Sequence, residues 1–191
     1  MLLVMWKGKK VIRTCQRHNE PGHAHELTFS CYQGKAFLIK ERICQWLAEA
    51  FNSARDRHHF SLWAYVFMPT HVHILISPKH KDYSISRILQ AMKQPVAVKA
   101  IAYLKNENPD GLRQLATGQI ARPYRFWQNG GGFDRNITNT ETLIKAIRYI
   151  HRNPVRKGLV DCDVDWKYSS AADWQNLRQG PVIIDTHDWP V

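Results

Sequence analysis

Two strongly apolar runs stand three residues apart: FSLWAYVF at 60–67 and HVHILIS at 71–77, joined by Met68-Pro69-Thr70. Both are dense in aromatic and β-branched side chains, which favour strands. Two strands this close, with a Pro-containing turn between them, predict an antiparallel hairpin. Around it, ELTFSCY at 26–32 alternates polar and apolar side chains as a half-buried strand. Residues 38–57 carry Ile43, Leu47, Ala48, Phe51 and Ala54 near helical spacing, an amphipathic helix. A second helix is expected over 84–106 from Ser84, with Pro95 breaking or kinking it near Gln94. Residues 108–119 read as loop, and 124–128 and 133–137 as short extended pieces on either side of Gly130-Gly131-Gly132. Thr138 or Thr140 is expected to cap a helix over 141–151 that runs into Asn153-Pro154. Residues 1–24 read as a loosely packed lead-in. Residues 161–191 read as a polar, Trp-containing tail with one short helical piece near 169–174. This order predicts a small antiparallel sheet covered by helices on one face.

A chain of 191 residues that is 44% apolar can bury a real core in one domain, and its composition excludes intrinsic disorder. No apolar run approaches the ~18–20 residues of a membrane span. The opening MLLVMW is too short for a signal peptide and lacks a basic n-region or small-residue cleavage site. Cys15, Cys31, Cys44 and Cys162 show no C-x-x-C spacing, so neither a zinc ribbon nor a disulfide framework is indicated. A cytoplasmic protein with reduced thiols is the expectation. The 27 Lys and Arg exceed the 16 Asp and Glu by 11, which points to a polyanion without naming it. Nine of those cations lie between Arg113 and Val160 against two acids, whereas six Asp follow from Asp161 onward. An anionic partner is therefore expected to meet the stretch that ends at Val160.

Within the hairpin, His71 and His73 are two apart and so share one face of their strand, where two imidazoles can converge on a divalent metal. Most H-x-H pairs are ordinary surface histidines, but this one follows a Pro turn between two apolar strands. Tyr149 and Asn153 lie four apart, one turn along a helix whose buried side is marked by Leu143, Ile147 and Ile150. For an isolated Y-x-x-x-N-P, a core aromatic beside a helix C-cap (Asn153 before Pro154) is the favoured reading.

Taken together, YVFMPTHVHILI (65–76), FWQ (126–128), FDR (133–135), YIHRNPVRKGLV (149–160) and DWKYSSA (165–171) resemble the single-tyrosine HUH transposases, and within them the REP-associated tyrosine branch. The resemblance runs from about Glu26 to Trp174. It implies an α+β, ferredoxin-like (RRM-like) HUH fold, a central antiparallel sheet with helices packed on it. It implies Tyr149 as the catalytic nucleophile and His71, His73 and Asn153 as ligands of Mg²⁺ or Mn²⁺, a donor set suited to a hard cation. The implied reaction is transesterification of single-stranded DNA near REP-like hairpins through a 5′-phosphotyrosine. Arg122, Arg125, Arg135, Arg148, Arg152, Arg156 and Lys157 would contact phosphates, and Tyr124, Phe126 or Trp127 could stack on unpaired bases, with core packing the competing and slightly favoured reading for Phe126 and Trp127. Arg148 and Arg152 flank Tyr149 in sequence and are candidates to assist it. In that branch N-terminal residues can help read a short guide beside the hairpin. Residues 1–24 are thus expected to be a DNA-contacting extension of a domain over 25–160, with an acidic tail at 161–191. A monomer is expected, with a dimer as the alternative, and no membrane partner. The triple glycine departs from the family, which usually has bulkier residues there.

Two other classes compete. A non-catalytic RRM-like nucleic-acid-binding module would share the scaffold, but the aromatic RNP pattern is replaced here by histidines. A hydrolytic metalloenzyme lacks support, because there is no H-E-x-x-H and no nearby Asp or Glu joins His71 and His73 in sequence.

Overall fold

The structure, a computed structural model, describes residues 4–6, 9–11, 17–130 and 132–189. Near the N-terminus, β1 (Val4–Trp6) and β2 (Lys9–Val11) pair as a separate two-stranded sheet. The expected hairpin forms from β4 (Phe60–Phe67) and β5 (His71–Pro78), closed by the Met68 N–H donating to the His71 carbonyl at 2.8 Å. β3 (Ala24–Ser30) pairs antiparallel with β5 on its other side, and β6 (Phe133–Ile137) pairs with β3. The sheet order is β4-β5-β3-β6. Helix α1 (Glu41–His58) connects β3 to β4, and α2 (Ile85–Glu107) leaves β5 on the way to β6. This is the split βαβ arrangement of ferredoxin-like folds.

Every residue of β4 is buried, which a strand covered on one face alone cannot achieve. Leu27, Phe29, Tyr65, Phe67, Val72, Ile74 and Ile76 pack under α1 and α2. On the opposite face, α4 (Thr140–Arg156) lays Leu143, Ala146, Ile147 and Ile150 over Ala64, Val66, Leu75 and Ile137. Helices therefore cover both faces, not the one face expected. A register shift between Leu62 and Ala64 lets Trp63 join Ala64 on the α4 side.

Local departures have simple causes. α2 runs unbroken through Pro95, because Ile88, Leu89 and Met92 before it and Val96 and Ala100 after it bury one continuous stripe. α4 likewise continues through Pro154 to Arg156. Its cap is Asn139, whose Oδ1 accepts from the Thr142 N–H at 2.9 Å, and not Thr138 or Thr140. Within the stretch read as loop, Asn108 caps a short helix α3 (Pro109–Arg113). The lead-in expectation falls partly on residues 1–3, 7–8 and 12–16, outside the described residues. From His18 onward the segment is tied down: the His18 carbonyl accepts from Asn136, Asn19 Oδ1 from the Ile85 N–H, and the Glu20 carbonyl from the Tyr83 hydroxyl.

The C-terminal segment is more organised than a polar tail, although apart from α5 (Ala171–Trp174) it has little regular structure. It runs along the outer side of β4. The Phe67 N–H donates to the Tyr168 carbonyl, and the Tyr65 and Leu62 carbonyls accept from the Ser170 and Asp185 N–H groups. The indoles of Trp166 and Trp174 donate to the Phe67 and Trp63 carbonyls at 2.9 and 2.7 Å. A sheet edge left bare would present these groups to other chains. The acids counted here also have local partners, Asp185 with Arg55 and Asp188 with Lys79.

Candidate active site

Alternation along β5 sends Val72 and Ile74 into the α1–α2 core and His71 and His73 to the α4 side. The two imidazoles stand edge to face, with centroids 4.8 Å apart. His73 Nδ1 shares a 2.8 Å hydrogen bond with Oγ1 of Thr28, its cross-strand neighbour on β3, and His71 Nδ1 shares one of 2.9 Å with Thr70 Oγ1. Hydroxyls thus engage Nδ1 of both rings and orient Nε2 as the remaining ligand nitrogen. Burial, then the neighbouring His71, pushes the His73 imidazolium down to about 3. Burial, then Lys157, lowers that of His71 as well. Both rings are accordingly neutral near pH 7, the form that binds metals.

Tyr149 on α4 is 41% exposed and meets the edge of His73 with centroids 5.6 Å apart. Asn153, one turn later and buried, donates Nδ2 to the Tyr149 carbonyl at 2.7 Å, which fixes the rotamer of its amide. The cation over the Tyr149 ring is Arg156, its guanidinium carbon 5.0 Å from the centroid. Two helical turns separate residues 149 and 156, so they share a face. Arg148 and Arg152, the sequence-adjacent candidates, are exposed, as Arg156 is, so it is the ring contact and not burial that singles out Arg156.

Beside this cluster lies a cavity of about 450 Å³, lined by Glu26, Thr28, His73, Phe133, Arg135, Lys145, Ala146 and Tyr149. Sequence reasoning missed Glu26 and Lys145 as members of the site. Glu26 is 5% exposed and accepts from Arg135 Nη2 at 2.5 Å, while Arg135 stays half-exposed. The alternation of ELT carried a signal: Glu26 and Thr28 must share a face, and only the register of β3 against β5 was needed to place that face beside His73. Among the described residues, no third His, Cys, Asp or Glu completes a metal cluster with His71 and His73.

Other expected residues lie elsewhere. Trp127 is 5% exposed, its indole N–H donates to the Lys93 carbonyl at 2.8 Å, and its ring packs on Phe29. It packs in the core, where the bridge between Cys31 and Trp127 threads it under α2, and only a small part of it borders the cavity beside that helix. Arg122 lines a different cavity, and Arg125 lies over the Tyr32 ring at 5.8 Å. The structure thus gathers His71, His73, Tyr149, Asn153, Arg135, Arg156 and Lys157, and leaves Arg122 and Trp127 on the other side of the sheet. Among the described residues, no helix is long and apolar enough to cross a membrane.

Comparison with known proteins bears on the family and the fold. A Haemophilus influenzae protein whose name places it among the REP-associated tyrosine transposases is 23% identical over 140 residues, covering 70% of this chain and 75% of its own. A solved REP-associated tyrosine transposase, bound to a REP hairpin, superposes with a TM-score of 0.67 at 19% identity, over 93% of this chain and 95% of that one. The family described as "Transposase IS200 like" matches residues 23–153, more than half of the sequence and the whole span from β3 through Asn153. The chain belongs to the IS200-like transposases, a family of DNA-processing enzymes.

Proposed function

We propose that this chain is a metal-dependent, single-strand-specific DNA nuclease and strand transferase of the REP-associated branch, acting in the cytoplasm beside REP-like hairpins. The observation that carries the reading is the contact of Tyr149 with His73, a partly exposed phenol against a neutral, hydroxyl-anchored imidazole. The donor set fits a hard cation: two neutral imidazoles with Nε2 available, and the amide oxygen of Asn153, whose nitrogen is already engaged. Mg²⁺ or Mn²⁺ held there would supply Lewis acidity at the scissile phosphate.

The chain's own groups do the rest. Tyr149 Oη forms a bond to phosphorus as the bond to the 3′ oxygen breaks, leaving a 5′-phosphotyrosine and a free 3′-hydroxyl. The phenol proton leaves, and the 3′ oxygen takes one up, through solvent that reaches the exposed side of Tyr149. A 3′-hydroxyl from another strand reverses the step, with bond energy conserved and no nucleotide cofactor required. Arg156 over the ring, Lys157 near His71 and Arg135, held by Glu26, offset the phosphate's charge. Because His73 and Tyr149 of one chain already touch, the reading is of a monomer acting alone.

The test is to incubate the protein with Mn²⁺ or Mg²⁺ and a labelled hairpin with single-stranded flanks, and to look for a covalent protein–DNA adduct on a denaturing gel. Wild type is expected to give the adduct; Tyr149→Phe is expected to bind the DNA but give neither adduct nor cleavage. Normal cleavage by Tyr149→Phe, or full activity in EDTA, defeats the mechanism. Activity restored by mixing Tyr149→Phe with His73→Ala defeats the single-chain reading.

A further inference from the structure

The sheet face opposite Tyr149 holds cations that this mechanism does not use. A cavity of about 480 Å³ there is bounded by one side of α2 and by the segment before β6, with Arg17, Lys93 and Arg122 around it and Asn129 and Gly130 at its rim. Lys93 is the unusual member. Its ammonium lies 5.4 Å from the Phe29 ring centroid, and no carboxylate pairs with it among the described residues. Burial, then Arg17, lowers its pKa to about 8. The nearby acid, Asp134, is already engaged by Arg17 at 3.5 Å and by His25 at 2.9 Å. Arg17 thus has a carboxylate partner already, whereas Lys93 beside it has none among the described residues, and an anion entering the cavity would relieve the repulsion between the two.

The cavity is also close to the catalytic groove along the chain. Gly130 rims the one, and Phe133, three residues later, lines the other. Three residues span at most roughly 10 Å, which ~3 nucleotides cover even at duplex spacing. The crossing is tight at Gly132, where φ is +68° and an added Cβ would stand 2.0 Å from the Thr28 carbonyl oxygen, so only glycine fits. Thr28 is the residue that anchors His73.

We propose that this cavity is a second phosphate site, in which Arg17, Lys93 and Arg122 hold a backbone phosphodiester of the same single DNA strand that crosses the catalytic groove. The strand rounds the β6 edge beside Gly130 and Phe133, which gives Gly130, Gly132 and Arg122 a use. This rests on the reading of the protein as a single-strand DNA enzyme, and the experiment separates the two.

Tyr149→Phe protein, which is expected to hold DNA uncleaved, is labelled with an amine-acylating reagent near pH 8, with and without a hairpin oligonucleotide bearing single-stranded flanks. Mass spectrometry reads labelling at Lys93 in this cavity, Lys145 in the groove and Lys99, which pairs with Glu49 elsewhere on α2. The proposal expects DNA to remove most of the labelling at Lys93 and Lys145 and to leave Lys99 unchanged. Protection of Lys145 without Lys93 overturns the second site while sparing the nuclease reading; protection of neither overturns both. As an independent measure, Arg122→Gln is expected to weaken binding of the flanked hairpin about tenfold at low salt and to reduce the slope of log affinity against log salt by about 1. Unchanged affinity and slope overturn the proposal.

Discussion

The two faces of β5 differ in what they are built to do. On one, Val72, Ile74 and Ile76 are fully buried under α1 and α2, continuous with Leu27 and Phe29 of the next strand. On the other, Leu75 lies under α4, but His73 opens beside Thr28 and Glu26 onto a cavity, with His71 packed against its ring. Alternation thus separates stability from chemistry within a single strand: odd positions through His73 face the groove, and even positions hold the core. The helix on the groove side covers only part of its face, and the remainder is where Tyr149 meets His73.

Neighbouring substitutions break this comparison most sharply. His73→Ala is expected to reduce cleavage by more than the ~10–100-fold that loss of an outer-shell metal partner costs, with the protein still folded by circular dichroism. Ile74→Ala, one residue on, is expected to cost about 2–5 kcal/mol in urea unfolding and to leave cleavage per folded molecule intact. The reverse pattern would mean that the two faces are not separable.

Acid sharpens the contrast next. His151 also lies on α4 but points away from the groove, its Nε2 sharing a 2.9 Å hydrogen bond with Ser170, and burial pushes its imidazolium down to about 4. In the unfolded chain it protonates near its ordinary value of 6.5. Between these values the unfolded state binds more protons, so stability is expected to fall as the pH drops from about 6.5 toward 4. His151→Gln is expected to flatten that limb; a limb of unchanged steepness would assign it to other groups. The smallest effect concerns the outer strand: Trp174→Phe removes the donor to the Trp63 carbonyl and is expected to cost about 1–2 kcal/mol in thermal or urea unfolding, with cleavage unaffected.

What the sequence revealed follows the range of the interactions. The hairpin and its H-x-H pair are set by contacts within a dozen residues, and the Tyr149–Asn153 spacing by one helical turn, so both were readable. Glu26 was not, because its membership depends on strand pairing across about fifty residues, which no local pattern encodes. The choice of Arg156 over Arg148 or Arg152 depends on how α4 is rotated against the sheet. The role of Trp127 stayed open between base stacking and core packing because composition cannot distinguish a ring packed on Phe29 from one offered to DNA. The C-terminal segment looked irregular because backbone hydrogen bonds to a strand edge leave no periodicity behind.

That segment has a practical consequence. The matched family region stops at residue 153, whereas the carbonyls and N–H groups along β4 find their partners at 166–185. A protein trimmed to the family boundary would keep Tyr149, His71 and His73 yet carry an adhesive strand on its flank, prone to pair with copies of itself. The last thirty residues behave as a built-in selvedge, the woven margin that keeps a fabric from unravelling or catching on its neighbour.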